Sequence, residues 1–166
     1  MGNRVLLEDS VVKDVRTILV VMSSFAVAFD RESIIQKLLL VYPDCAIFFK
    51  TTSGKTIGSP CPEKVDLLID LTGPGQRQGL FYSKKLRSMA RIAAGRNAGL
   101  FRKKIYNKIF DEKRKDLNLS EELILKESFV QKKVFELVGV SMGASAQMTQ
   151  DKSKSVALEL PPLKIN

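Results

Sequence analysis

The sequence predicts an α/β fold: a single Rossmann-like domain with a mostly parallel sheet flanked by helices. Three observations predict it. Val15 to Met22 and Val65 to Leu71 are continuous, β-rich apolar runs, the pattern of strands covered on both faces. Between them, Arg31 to Val41 carries Ile34, Ile35, Leu38 and Leu39 at helical spacing. Strand-like and helix-like segments then continue to alternate along the chain, which is the order that builds parallel sheets.

Taken in order, the first strand is Val15 to Met22, and Ser23-Ser24 opens the loop after it. Asp30 has the chemistry of an N-cap for the helix at Arg31 to Val41. Pro43-Asp44 turns the chain into a short strand at Cys45 to Phe49. Thr51 to Lys64, with Gly54, Gly58, Pro60 and Pro62, reads as loop. Val65 to Leu71 is the third strand, and Gly73-Pro74-Gly75 turns sharply into a helix from about Gln78 to Ala90. A fourth strand is expected at Arg91 to Ala94, and helices at Leu100 to Phe110 and Glu121 to Val138. Ser120 would cap the last helix and Gly139 would end it. Met142 to Ser155 is rich in small and polar residues and reads as a linker, and Leu158 to Leu163 reads as extended. The division is therefore 1–14 as an N-terminal extension, 15–140 as the Rossmann-like unit and 141–166 as a linker-like tail.

Composition narrows the chemistry. The chain has no histidine, which excludes histidine general-base chemistry, histidine triads and most zinc sites. Cys45 and Cys61 form neither a disulfide framework nor a CxxC motif, so both thiols are expected to be unpaired, as in a reducing compartment. No metal and no cofactor is expected. Ile18 to Phe29 is too short to span a bilayer and reads as a buried strand, although Ala26-Val27-Ala28 has the shape of a signal-peptidase site. Met1-Gly2 is followed by Leu6, not the Ser or Thr that myristoylation favours.

The charge is concentrated. Ser83 to Lys115 holds twelve Lys or Arg against Asp111 and Glu112, a local +10 in a chain of net +9. Cations without nearby anions repel one another, so this stretch points to an anionic partner: sugar phosphate, acidic lipid, acidic protein or nucleic acid. Tyr82, Phe101, Tyr106 and Phe110 interleave with the cations, a pattern suited to stacking on bases or sugars but also to packing in a core.

Two glycine motifs invite nucleotide readings. Ser53-Gly54-Lys55-Thr56 has the end of a P-loop, but position 49 is Phe where the first Gly belongs, so a solvated loop is expected. Gly73-x-Gly75-x-x-x-Gly79 follows a strand as a dinucleotide fingerprint would, with one residue too many and no acidic residue for a ribose. Arg91 or Arg96 would be left to face a 2′-phosphate, and a tight structural turn is the favoured reading. Asp66 and Asp70, four apart on the third strand, point to one face, and Asp70 is the candidate for holding the Thr72-Gly73 turn.

The order of these pieces resembles a known family. RTILVVMSS, a helix ending in VYPD, the strand AIFFK and then VDLLIDLTGPGQRQG are similar to the N-terminal half of the ADP-heptose:lipopolysaccharide heptosyltransferases, bacterial glycosyltransferases with two Rossmann-like domains. That family reads as a strand into SSIGD, a helix ending in YPDA, and DLVIDLQG. RIAAGRNAGLF, KKIYNKIF, ESFVQKKVFELVGVS and LELPPL resemble its later segments, so the likeness runs from Arg16 to Leu163. The departures matter equally. The family's proposed general base is the Asp of its first loop; that position is Val27 here, which takes no proton. The unit between the second and third strands is shortened, and no nucleotide-sugar domain follows within these residues.

The resemblance, with its departures, implies a non-catalytic binding or scaffold domain with a basic face, meeting a protein partner or larger assembly. An acceptor-like site would use Ser23, Ser24, Thr72, Gly73, Gln76 and Arg77, at the carboxyl ends of adjacent strands. The anion surface would be Lys84, Lys85, Arg87, Arg102, Lys103 and Lys104. The alternatives are the acceptor-binding subunit of a split heptosyltransferase acting on a lipopolysaccharide-type sugar, and a nucleic-acid-binding module. The expected location is cytoplasmic, with the inner face of the membrane as the alternative.

Overall fold

The computed structural model describes residues 8–22, 28–51, 56–57, 62–72, 85, 87–96, 105–111 and 123–143. Its elements are β1 (Thr17–Met22), α1 (Arg31–Val41), β2 (Ala46–Thr51), β3 (Thr56–Ile57), β4 (Val65–Asp70), β5 (Ala90–Arg96), β6 (Lys108–Phe110) and α2 (Leu123–Glu136). The six strands form one sheet in the order β3-β2-β1-β4-β5-β6. All neighbours are parallel except β2 and β3. This is a Rossmann-like α/β arrangement.

β1 runs through the middle of the sheet, which explains its unbroken apolar sequence. Ile18, Val20 and Met22 face one layer, which they share with Ile34 and Leu38 of α1, Val130, Val134 and Phe135 of α2, and Val138 just after it. Leu19 and Val21 face the other, with Leu68, Ala93, Ile105 and Tyr106. The core extends to Val11 and Val12 before β1 and to Val140 and Met142 after α2.

Local chemistry sets the helix ends. Asp30 accepts a 2.7 Å hydrogen bond from the Ser33 N–H at the start of α1. After α2, Gly139 adopts φ 83°, a left-handed conformation that a Cβ would strain. There the Val140 N–H reaches the Phe135 carbonyl at 3.0 Å and the Gly139 N–H reaches Glu136 at 3.1 Å, the paired bonds of a Schellman stop.

Two expectations need correction. The loop over Thr51 to Lys64 contains β3, which pairs antiparallel with Phe49 and Lys50 and extends the sheet edge. The helix expected over Leu100 to Phe110 is instead a strand at its end, because β6 pairs with Ala94 to Arg96. Asn107 starts that pairing. Its N–H donates to the Ala93 carbonyl at 2.9 Å, and its side-chain oxygen accepts from the Ala93 N–H at 2.8 Å. Residues 97–104 lie outside the described residues. β5 is also longer than the expected Arg91 to Ala94 at both ends.

Tyr42, at the end of α1, joins distant parts of the chain. Its buried hydroxyl donates to the Val138 carbonyl at 2.6 Å and accepts from the Val12 N–H at 3.0 Å. Burial pushes the phenol's pKa up, which keeps the donated proton in place. Tyr42→Phe leaves both partners unmet while preserving the ring. It is expected to cost about 1–3 kcal/mol, read as a lower denaturant midpoint with an unchanged slope.

Candidate functional site

The chain leaves β1 toward β2 on one side of the sheet, while β4, β5 and β6 extend the other. The carboxyl ends of β1 and β4 therefore mark the topological switch point, where open parallel sheets take their ligands. A polar cluster lies on each face of the sheet at this edge.

On the face of Val21, Asp70 is fully buried at the end of β4. Its Oδ1 accepts from the Thr72 N–H at 3.0 Å and the Thr72 hydroxyl at 2.7 Å. Its Oδ2 accepts from the Tyr106 hydroxyl at 2.5 Å. The expectation that Asp70 holds the turn after β4 is met at Thr72. Tyr106 reaches Asp70 across β5, and Gly95 makes the passage: a Cβ there would collide with the Tyr106 ring. The expected strand stopped at Ala94 and the expected helix took in Tyr106, so neither put the ring over Gly95.

On the opposite face, Arg96 is fully buried at the end of β5. Its guanidinium meets both oxygens of Glu127 on α2, at 2.6 and 2.7 Å, in a bidentate pair. It also donates to the Leu71 carbonyl at 3.4 Å. Gln131, one turn further along α2, donates to Glu127 at 3.0 Å and accepts from the Ala28 N–H at 3.3 Å. Arg96 is thus no receiver for a 2′-phosphate, since Glu127 already fills that role inside the protein.

The basic stretch changes character once its partners are visible. Arg87, expected on the anion surface, donates through Nε to the Ile105 carbonyl at 3.0 Å and through Nη1 to Ala90 at 2.8 Å. It clamps the approach to β5 onto the approach to β6. Arg91 donates to the carbonyls of Lys13 and Asp14 at 2.7 and 3.0 Å and lies 3.8 Å from Asp66. Glu127 and Asp66 therefore offset two of the cations that looked uncompensated. Lys85 is exposed, as an anion surface requires. Thr72 is fully buried, with its hydroxyl turned to Asp70. Ser23, Ser24, Gly73, Gln76, Arg77, Lys84, Arg102, Lys103 and Lys104 lie outside the described residues.

Other chemistry is sparse. Cys45 is free, as expected, and burial pushes its thiol pKa up, away from thiolate reactivity. No group of three metal-ligating side chains occurs among the described residues. No described helix is long and apolar enough to cross a membrane. An open cavity of about 300 Å³ lies at the opposite, amino end of the sheet, lined by Val11, Val12, Val15, Val41 and Tyr42 with Asp14 and Asp44.

Asp66, at that amino end, accepts from the N–H groups of Arg16 and Thr17 at 2.8 and 3.2 Å. The Arg16 N–H chiefly, then the Thr17 N–H and the Arg91 guanidinium, hold its carboxyl below the ordinary range. A depressed folded-state pKa means that the unfolded chain binds the proton first as pH falls. This contribution is whole above about pH 5 and is lost through the acid range below about pH 4. Asp66→Asn should flatten that part of the stability profile, followed by denaturant unfolding between neutral and acid pH.

A double-mutant cycle tests the ionic pair. Removing either partner alone strands a buried charge, so Arg96→Met or Glu127→Leu is expected to cost about 3–5 kcal/mol. The double variant should recover most of that loss, measured by chemical unfolding, because two apolar side chains satisfy each other.

No protein-family model, curated protein or solved structure matches the chain.

Proposed function

We propose that this chain is a non-catalytic binding or scaffold domain, on a plan resembling the heptosyltransferase acceptor half, that meets an anionic partner through its basic stretch. The observation that carries this reading is the internal pairing of the charged groups described at the carboxyl edge. The Asp70 carboxylate accepts from Thr72 and Tyr106, and the Arg96 guanidinium is matched to Glu127. A general base has to reach a substrate proton, and a buried carboxylate already accepting three bonds is poorly placed for that. Val27 at the resembled base position supports the same conclusion.

The electrostatics divide the edge. Asp30 occupies the start of α1, and Glu32 lies in its first turn. That helix end, where a phosphate would otherwise bind, already holds carboxylates. A neutral, hydroxyl-bearing group therefore suits the β1 side better than an anion does. Lys84, Lys85, Arg102, Lys103 and Lys104 remain the cations assigned to the partner; Arg87 serves the fold.

The test is affinity capture of the tagged chain from its own cells at low and high salt. It is run beside a variant carrying Lys84→Glu, Lys85→Glu, Arg102→Glu, Lys103→Glu and Arg87 intact. The expected result is one partner held at low salt, released at high salt and lost from the variant. Recovery of a nucleotide-sugar-binding chain together with sugar transfer would replace this reading with the split transferase. Equal capture by both forms at both salts would remove the basic stretch from the interface.

A further inference from the structure

We infer that Gln131 is a positioning residue, which fixes the backbone at the start of α1 relative to the ends of β4 and β5. This rests on the reading above that the carboxyl edge of the sheet is where the protein binds.

Gln131 is almost fully buried on α2. An amide side chain has two different ends, and here both neighbours decide its orientation. Glu127 Oε1 lies 3.0 Å from one end and requires a donor, so that end is Nε2. The other end is then the oxygen, and it accepts from the Ala28 N–H at 3.3 Å. Reversing the amide would oppose oxygen to carboxylate and N–H to N–H. Glu127 cannot turn away to accommodate that, because Arg96 grips both of its oxygens.

The chain of bonds therefore runs Leu71 carbonyl, Arg96, Glu127, Gln131, Ala28 N–H. It ties the end of β4, the end of β5 and the approach to α1 to a single helix. These are the parts that border the switch point. Packing alone does not require it: Val130, Val134 and Phe135 already hold α2 against the sheet. A buried polar relay costs desolvation, and what it supplies is one defined geometry. Asp30, two residues beyond Ala28, caps α1, so the helix start inherits that geometry.

The experiment compares the full chain with Gln131→Leu and with the milder Gln131→Asn, which keeps the amide but shortens its reach. Amide hydrogen exchange is read residue by residue, together with the thermal midpoint. Affinity for a hexose phosphate is read by amide shifts. The expected result is at least tenfold faster exchange at Ala28 and Phe29, with α2 protection kept and the midpoint within a few degrees. Hexose phosphate binding should weaken about tenfold in Gln131→Leu and less in Gln131→Asn. If the wild-type chain does not bind hexose phosphate, the sugar-phosphate form of the binding reading fails, and the exchange data alone decide the role of Gln131. Unchanged exchange at Ala28 overturns the inference. So does a uniform loss of protection across α2 and the sheet in both variants, which would make Gln131 a general packing residue. Should Gln131→Leu not fold, Gln131→Asn carries the same comparison.

Discussion

The bidentate contact between Arg96 and Glu127 is the interaction on which the carboxyl edge depends. A guanidinium at the end of a buried strand has to be neutralised within the protein, and α2 brings the carboxylate that does so. The position of α2 follows from this pairing as well as from its apolar side. Gln131, one turn along the same helix, then reaches the start of α1. On the other face of the sheet, Asp70, Thr72 and Tyr106 are bonded to one another around the end of β4. Among the described residues of this edge, Asp70 and Arg96 both turn their charge to partners inside the protein.

The same sequence window puts charge to two uses. Arginines at 87, 91 and 96 bond to carbonyls and carboxylates and hold segments together. Lys85 is exposed to solvent. Arg96 is fully buried, whereas Arg91 bonds to carbonyls while still exposed to solvent. A planar guanidinium satisfies several acceptors at once and tolerates burial, whereas an ammonium prefers water. A count of cations along the sequence treats them alike.

What was legible in the sequence was local. The capping of α1 by Asp30 depends on Ser33, three residues away, and the turn held by Asp70 depends on Thr72, two residues away. β1 and β4 were legible because a strand buried on both faces needs an unbroken apolar run. What was missed depends on distance. Glu127 lies 31 residues from Arg96, and Asp70 lies 36 residues from Tyr106. β6 exists because Asn107 meets Ala93, and without that partner KKIYNKIF has helical spacing of its own. Gly95 was visible, but its purpose appears only once the Tyr106 ring lies over it.

The central place of β1 has a consequence for how the chain reaches this state. β1 is made before its partners Ala46 to Thr51 and Leu67 to Asp70, and of these the β4 side stays open longer. During synthesis this apolar strand waits with at least one bare edge. Parallel pairing across such intervals is slow, because each contact closes a long loop first. The exposed strand is then open to pairing with other nascent chains. The same residues that make the finished sheet stable make its assembly the stage most in need of protection from self-association.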